Sequence, residues 1–231
     1  MDVRVARHFE NAEPVNTFNR LPAQNAPLQG GLYCKRWKRA LDILLVLATL
    51  PLSLPLLLVG AFGAVLDGGP AFYTQPRLGR DGKVFRMLKL RTMRVNAEQQ
   101  LTDILMTDPN AAIEWHQTQK LRQDPRITAI GRVLRKTSLD ELPQIWNVLK
   151  GEMSLVGPRP MLREQAIMYP GTAYHRLLPG VTGPWQVFGR NDESFSSRAK
   201  YDAMYERETG FLYDLSLICR TVGVVLWGTG R

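Results

Sequence analysis

Two adjacent carboxylates, Asp140 and Glu141, stand at the start of the clearest helix pattern in the chain. Ser138 precedes Glu141 by three residues, which is the spacing of a capping box and predicts a helix that begins at Ser138. Because a helix N-terminus stabilises negative charge, both carboxylates are expected to be ionised at neutral pH. An ionised carboxylate can attack phosphorus as a nucleophile or hold Mg²⁺. A first-turn acid that only caps the helix is the alternative interpretation for Glu141.

Cationic side chains that could bind phosphate occur at three other places in the sequence. Arg159 stands between two prolines in the run Gly157–Pro160, and the rigid prolines present its guanidinium from a stiff turn that suits bidentate phosphate binding. Lys89 and Arg91 are two residues apart on a predicted strand, which puts both on one face of it. Arg190 lies in a glycine-containing loop. A solvated surface role is the alternative for each of these cations.

The composition restricts the classes of protein to which the chain can belong. It has 231 residues, of which 30 are lysine or arginine and 21 are aspartate or glutamate, so its net charge is +9 and its pI about 9.8. This excess predicts an anionic partner, such as nucleic acid, a phosphate substrate or a membrane surface. Two cysteines and three well-separated histidines argue against a disulfide framework and a compact Cys/His metal site. Signature motifs of P-loop, dinucleotide-binding, zinc-protease and hydrolase sites do not occur.

An uncharged run of 24 residues, Ile43–Leu66, follows a basic cluster that begins at Lys35. A straight helix of that length would rise about 36 Å, enough to cross a bilayer core of about 30 Å. Pro51 and Pro55 lie near its middle, where each removes a backbone donor, so a kink is predicted there. The run is therefore predicted to be a kinked membrane segment.

The charge on the two flanks of this run bears on its topology. Residues 1–40 and residues 67–100 each carry a net charge of +4. Because positively charged flanks stay in the cytoplasm, this symmetry favours a re-entrant segment that enters and leaves by the same face. A spanning anchor and the core helix of a soluble protein are the two alternatives.

The remaining patterns predict a mixed, mainly helical α/β (α+β) fold with a re-entrant N-terminal helix-break-helix and interfacial amphipathic helices. We expect a disordered tail over residues 1–31, the membrane segment with its basic flank over 32–67 and a globular domain over 68–231. Strands are predicted at 71–74 and 84–90, and helices at 97–122 with a break at 108–110, from Ser138 to Gly151, at 196–208 and at 211–227. The last helix is expected to lie on the membrane or to pack on the core. In the helix that follows Ser138, one apolar stripe is expected to face the core, formed by Leu142, Ile145, Trp146 and Leu149.

Several longer motifs occur in a fixed order along the chain. They are the basic cluster, the proline-containing apolar run, Lys89–Met93, Asp124–Thr128, Ser138–Gln144, Asn147–Pro160 and Pro179–Gly183. Together they resemble the bacterial sugar transferases of the monotopic polyprenyl-phosphate phosphoglycosyl transferase superfamily, and within it the short enzymes that initiate exopolysaccharide repeat units. The resemblance runs from about Lys35 to the C-terminus.

The resemblance implies a reaction and a role for each carboxylate. Such enzymes move a phospho-sugar from a UDP-sugar to polyprenyl (undecaprenyl) phosphate and release UMP. Asp140 would be the nucleophile that forms a covalent phospho-sugar intermediate, and the pair Asp140 and Glu141 would hold Mg²⁺ as the cofactor.

The resemblance also implies which residues bind the substrate. Pro158 and Arg159 would form the phosphate-binding turn, with Lys89 nearby and Arg190 as a further candidate. Arg91 joins this set because of the strand face that it is expected to share with Lys89.

A location and a set of partners follow from the same resemblance. UDP-sugars are cytosolic and the acceptor is a lipid, so the domain is expected on the cytoplasmic face of the bacterial inner membrane, in contact with membrane lipids and without a nucleic-acid partner. A homo-oligomer is left open. The family commonly kinks its re-entrant segment with a Ser-Pro pair, whereas this chain has Leu54 before Pro55.

Two other classes of protein remain as alternatives. A nucleic-acid-binding module would explain the pI but not the long apolar run. A non-catalytic membrane scaffold of a polysaccharide assembly complex would explain the run but would turn over no UDP-sugar.

Overall fold

The computed structural model describes Tyr33 and residues 37–118, 121–189 and 195–226, so the predicted tail over 1–31 and the candidate Arg190 lie outside the described residues. The helices are α1 (Lys38–Leu66), α2 (Ala97–Thr107), α3 (Pro109–Thr118), α4 (Ala129–Lys136), α5 (Gln144–Lys150), α6 (Ala173–Arg176), α7 (Arg198–Glu208) and α8 (Phe211–Leu226). The strands are β1 (Phe72–Leu78), β2 (Val84–Leu90), β3 (Ser154–Val156) and β4 (Gly180–Thr182). The described residues thus form a mainly helical fold with two small sheets, which agrees with the predicted mixed class.

The two sheets have different origins in the chain. β1 and β2 form an antiparallel hairpin, in register from Phe72 opposite Leu90 to Leu78 opposite Val84, around a turn that contains Gly79 and Gly82. β3 and β4 are parallel, with Ser154 opposite Gly180. Parallel strands need a crossover connection, and here the crossover contains the Gly157–Pro160 turn and α6. The turn that carries Arg159 therefore begins directly at the carboxyl end of β3.

Helix α1 is the one helix within the described ranges that is long and apolar enough to cross a membrane. Its 29 residues form one helix that contains both Pro51 and Pro55, and no break divides it into two helices. Its apolar side chains are widely exposed, and those of Leu52, Val59 and Phe62 are each at least two-thirds exposed. The re-entrant course of this helix stays a prediction.

Both ends of α1 contact the same domain. Near its N-terminal end, Arg39 donates a hydrogen bond to the carbonyl of Leu149 at 2.8 Å. Near its C-terminal end, the carbonyl of Ala64 accepts one from Arg91 Nη2 at 2.6 Å. A straight helix would separate Arg39 from Ala64 by about 38 Å along its axis. The domain therefore contacts α1 near both ends, and the buried residues of the helix, which include Ser53 and Gly60 near its middle, form one face along its length while the opposite face is exposed.

A buried carboxylate, Asp214, joins the start of α1 to the last two helices. Its Oδ2 accepts hydrogen bonds from the Tyr33 hydroxyl at 2.7 Å and from Lys38 Nζ at 2.6 Å. Its Oδ1 accepts one from the Tyr205 hydroxyl at 2.7 Å. Because a buried charge is tolerated only when it is paired and hydrogen-bonded, these three donors must stay in place together. The contact fixes where α1 leaves the domain.

Three buried apolar clusters hold the elements together. The first joins α1 to β2 and α5, the second lies at the end of β1 beside α6, and the third packs α7 and α8 on β3. Their members are, in the same order, Val46, Phe85, Met87, Val148 and Met153; Leu78, Met161, Tyr169 and Tyr174; and Val156, Leu177, Tyr205 and Leu217. Since Val46 belongs to the first cluster, the N-terminal part of α1 is part of the core.

Helix α8 has one buried and one exposed side. Asp214 and Leu217 are at most 1% exposed, whereas the side chains of Phe211, Leu212 and Val222 are at least half exposed. The prediction that this helix packs on the core is confirmed. Its contact with a membrane stays a prediction.

Candidate functional site

The two carboxylates lie in a short 3₁₀ turn and not in the first turn of a longer helix. The predicted capping box is wrong, because Ser138 makes no side-chain cap hydrogen bond and α5 begins only at Gln144, after Pro143. Ser138 has a φ of 56°, in the left-handed region that non-glycine residues rarely adopt. This residue reverses the chain after α4, so Asp140 and Glu141 form a separate turn. Such strained residues cluster at functional sites.

One buried amide, that of Asn147, fixes α5 against β2. Its Oδ1 accepts from the Leu88 amide at 3.0 Å, and its Nδ2 donates to the Arg86 carbonyl at 2.8 Å. The side chain thus pairs with β2 as the backbone of a neighbouring strand would. This docking brings the carboxylate turn beside Lys89 on β2.

The predicted apolar stripe of α5 is confirmed in part. Ile145 and Leu149 are partly buried and pack against the first apolar cluster, and Leu142 is partly buried. Trp146 is 54% exposed, so the prediction is wrong for this residue. The fully buried residues of the helix are Gln144, Asn147 and Val148. The predicted end of the helix is confirmed, since Gly151 adopts φ 81° at its C-cap.

Lys89, Asp140, Glu141 and Arg159 form one cluster of charges. Lys89 Nζ lies 2.7 Å from Glu141 Oε1 and 3.9 Å from Asp140 Oδ2. Arg159 Nη2 lies 3.5 Å from the same Glu141 oxygen. The structure therefore brings together four of the residues that the sequence singles out, from β2, the 3₁₀ turn and the turn after β3.

The two carboxylates differ in their ionisation. Burial would raise the pKa of Glu141, but the charges of Lys89 and Arg159 outweigh it and lower this pKa to about 2. Burial raises the pKa of Asp140 above its ordinary value, the charge of Lys89 opposes this rise and that of Glu141 adds to it. The two carboxylates lie outside the longer helix, so burial and the neighbouring charges, and not the predicted helix N-terminus, set their pKa values. Glu141 is therefore a stronger acid than an ordinary glutamate, and Asp140 is a weaker acid than an ordinary aspartate.

We expect the acid limb of the pH profile to report this difference. As pH falls through the raised pKa of Asp140, its carboxylate is protonated, and reactions that need the ionised form slow down at a higher pH than for an ordinary aspartate. Lys89→Met removes the neighbouring cation and should move this limb to higher pH, whereas Glu141→Gln removes a neighbouring anion and should move it to lower pH. The measurement is kcat/KM against pH, normalised to each variant's plateau. Shifts of both variants in one direction would contradict the assignment.

The Gly157–Pro160 turn depends on close backbone contacts. A Cβ on Gly157 would lie 2.3 Å from the carbonyl oxygen of Leu178, so no larger residue fits at the end of β3. Pro158 is buried and its carbonyl accepts from the Gly180 amide at 2.8 Å. Pro158 thus shapes the turn, and the side chain of Arg159 is 39% exposed.

Arg91 lies apart from the charge cluster. β2 ends at Leu90, so the alternation that would place Arg91 on the face of Lys89 does not continue, and the prediction of a shared face is wrong. The guanidinium donates to the carbonyls of Pro70 at 2.8 Å, Met93 at 2.9 Å and Ala64 at 2.6 Å. Arg91 therefore joins the C-terminal end of α1 to the backbone of the residues on either side of the β1–β2 hairpin.

Three arginines near the cluster carry no signal in the sequence that singles them out. Arg77 lies on β1 and Arg198 at the start of α7, and both contact the Arg159 turn. Arg135, at the end of α4, donates a hydrogen bond to Thr92 Oγ1 at 2.9 Å, and its positive charge opposes the rise in the pKa of Asp140. Arg135 and Arg198 adjoin no glycine or proline and Arg77 follows the single Pro76, so only the fold reveals that the three lie near the cluster.

The pair of carboxylates suits a Mg²⁺ ion that arrives with a phosphate substrate. No group of three acidic, histidine or cysteine side chains that could hold a metal occurs in the described part of the chain. Mg²⁺ is usually held by one or two carboxylates and completes its shell with water and substrate phosphates. Glu141 Oε1 is paired with Lys89, which leaves its second oxygen and Asp140 as the available donors.

The site combines carboxylates with lysine and arginine, and the domain carries a long apolar helix. This combination is typical of a site that binds phosphate compounds near lipid. The family model for bacterial sugar transferases matches residues 33–228 of the chain. The chain belongs to this family, as its motifs predict.

Named relatives agree with this membership. The UDP-galactose-lipid carrier transferase of Erwinia amylovora is 47% identical over 191 residues, which are 82% of this chain and 40% of that protein. The undecaprenyl-phosphate galactose phosphotransferase of Salmonella typhimurium is 44% identical over 191 residues, again 82% of this chain and 40% of that protein. The exopolysaccharide production protein ExoY of Sinorhizobium fredii is 43% identical over 196 residues, which are 84% of this chain and 87% of that protein. The chain thus spans about two fifths of the length of the first two and most of the third.

Proposed function

We propose that the chain transfers a phospho-sugar from a UDP-sugar to polyprenyl phosphate and releases UMP, as the first membrane step of exopolysaccharide synthesis. The observation that carries this proposal is the charge cluster, in which Asp140 lies beside Glu141 and faces Lys89 and Arg159. The names of two relatives support the acceptor and the pathway, since one is an undecaprenyl-phosphate galactose phosphotransferase and the other is an exopolysaccharide production protein.

The first half-reaction forms a covalent intermediate on Asp140. An ionised oxygen of Asp140 attacks the β-phosphorus of the UDP-sugar. The new bond from this oxygen to phosphorus forms while the bond from phosphorus to the bridging oxygen breaks, and UMP leaves with the electron pair. Lys89 and Arg159 bind the phosphate oxygens through charge-assisted hydrogen bonds, and the fixed position of Asp140 removes the entropy cost of encounter.

The second half-reaction returns the enzyme to its starting state. A phosphate oxygen of polyprenyl phosphate attacks the same phosphorus, the bond to Asp140 breaks and the free carboxylate is regenerated. The product is a polyprenyl diphosphate sugar. Two displacements at one carboxylate predict ping-pong kinetics.

Asp140 and Glu141 would hold Mg²⁺ together with the substrate phosphates. The chemistry that the ion supplies when bound is neutralisation of phosphate charge, which favours approach of an anionic nucleophile. The lasting charge of Glu141, with its pKa of about 2, suits it to this role across the working pH range.

We further propose that α1 enters and leaves the cytoplasmic face of the inner membrane. Three observations support this course: the domain contacts α1 near both ends, the apolar side chains on the opposite face of the helix are exposed, and the two flanks carry equal positive charge. Pro51 and Pro55 each remove one backbone hydrogen bond on the way, which lets the helix bend without an interruption.

Labelling in intact cells tests this topology. We expect that single cysteines introduced by Asn16→Cys and Asn96→Cys, with Cys34 and Cys219 replaced by serine, both resist an impermeant thiol reagent because both lie in the cytoplasm. Both should label once the cells are permeabilised, which is the positive control. Labelling of the first but not the second in intact cells would contradict the re-entrant course. Replacing both prolines by alanine should straighten α1 and make the Asn16→Cys site reactive in a fraction of the molecules.

A turnover assay tests the function itself. Purified full-length chain in detergent is given undecaprenyl phosphate, Mg²⁺ and one UDP-sugar at a time, and UMP release is measured. Release with at least one UDP-sugar is expected. Binding to membranes without UMP release from any UDP-sugar would favour the scaffold alternative, and a salt-dependent complex with DNA would favour the nucleic-acid alternative.

A further inference from the structure

Two buried arginines hold the Arg159 turn from behind. Arg198 is 5% exposed, and its Nη2 donates to the backbone carbonyl of Arg159 at 2.7 Å. Its guanidinium lies over the rings of Trp185 at 4.8 Å and Phe195 at 4.9 Å, which fixes its plane. Arg77 Nη1 donates to the next carbonyl, that of Pro160, at 3.3 Å. Successive carbonyls of the turn are therefore each held by one arginine.

The positive charge of this group is only partly compensated by carboxylates: Glu141 lies 3.5 Å from Arg159, and the charges of Glu141 and Asp202 act on Arg77 and Arg198 from beyond ion-pair distance. Among the described residues, the ion pairs include none between a carboxylate and Arg77 or Arg198. Arg77 Nε is buried and has no hydrogen-bond partner. Burial together with the charge of Arg159 lowers the pKa of Arg77 and of Arg198 to about 10 in each case. Buried like charges are costly unless an anion compensates them, so the arrangement is suited to a bound anion.

The turn that the two buried arginines hold is the one that carries Arg159 to the charge cluster. Glu141 lies beside Lys89 and Arg159, and Arg77 and Arg198 contact the turn of Arg159 on its backbone. The position of Arg159 at the site therefore depends on these two arginines.

From these contacts we propose that Arg159, positioned by Arg77 and Arg198, forms a subsite for phosphate of the nucleotide substrate. Arg159 contacts the phosphate, and Arg77 and Arg198 are positioning residues that hold the turn and add positive charge behind it. The inference rests on the proposed function, because the leaving nucleotide is assumed to be UMP.

A comparison of two probes isolates the phosphate contribution. The affinities of full-length chain in detergent for UMP and for uridine are measured by calorimetry, and their ratio is the readout. We expect wild type to prefer UMP, and Arg77→Met and Arg198→Met each to lower the ratio by about ten-fold, because a displaced Arg159 loses a charge-assisted hydrogen bond to the phosphate. Arg163→Met is the matched control, because it removes one exposed arginine a few residues from the turn and should leave the ratio unchanged.

The same measurements separate this role from a merely structural one. A structural role would lower the affinities for UMP and uridine together, with no change in their ratio, and that result would overturn the proposal. Arg198→Lys and Arg77→Lys keep the charge and should restore part of the UMP preference, and they also serve if a methionine variant does not fold. Equal affinity of wild type for UMP and uridine would likewise overturn the subsite. Adduct formation on wild-type Asp140 is scored separately, so the proposed function can stand while the subsite fails.

Discussion

Asp140→Asn is expected to abolish both the covalent phospho-sugar adduct and turnover. The asparagine keeps the size and position of a side chain that is only 8% exposed, but its amide cannot act as the attacking oxygen. Loss of a nucleophile typically lowers the rate by roughly 10³-fold or more. Intact-protein mass spectrometry with UDP-sugar and Mg²⁺, without lipid acceptor, should show the added mass on wild type and none on the variant.

Glu141→Gln is the matched comparison at the neighbouring position. Glu141 cannot replace Asp140 as nucleophile, because Lys89 and Arg159 both occupy its Oε1 and keep it a weakly basic anion. We expect this variant to form the adduct slowly, since Lys89 loses its partner and the metal site loses a charge. An adduct of equal mass on Asp140→Asn, or UMP release that requires both substrates at once, would show that the reaction does not pass through Asp140.

Arg159→Lys is expected to lower kcat/KM by about ten-fold or more, although the charge is conserved. A lysine presents a point charge and loses the planar fork that can hold two phosphate oxygens at once. It also leaves the anion of Glu141 with a less well-placed partner, since Arg159 now lies 3.5 Å from it. The measurement is the initial rate of UMP release at varied UDP-sugar concentration.

The control for this substitution is Arg163→Lys. Arg163 is exposed and lies four residues after Arg159, so the same change there should leave kcat/KM unaffected. Near wild-type activity in Arg159→Lys would mean that the turn only shapes the backbone. Equal losses in both variants would point to a general effect of the substitution and not to phosphate binding.

Local patterns predicted those elements that local interactions stabilise. The β1–β2 hairpin follows from alternating residues on either side of a glycine-containing turn, and the end of α5 follows from the left-handed conformation that Gly151 adopts without strain. The break between α2 and α3 likewise follows from Pro109, which suits the first turn of a helix. In each case the decisive residues are neighbours in the chain.

The predicted capping box shows where a local pattern fails. Ser138 and Glu141 have the required spacing, yet the Glu141 carboxylate contacts Lys89 at 2.7 Å, from a residue 52 positions away. A charge-assisted contact of this kind is stronger than a cap hydrogen bond between neighbours. The tertiary contact therefore displaces the local one, and the helix begins six residues later.

The sequence by itself determined the carboxylate pair, the Pro-Arg-Pro turn, the long apolar helix and, through the order of its motifs, the family. Only the tertiary structure decided which cations face the carboxylates: it brings Lys89 and Arg159 to Glu141, turns Arg91 towards the end of α1, and places Arg77 and Arg198 behind the turn. The physical reason is that a charge acts through distance and burial, not through separation along the chain. The different pKa values of Asp140 and Glu141, adjacent in the sequence, have the same origin.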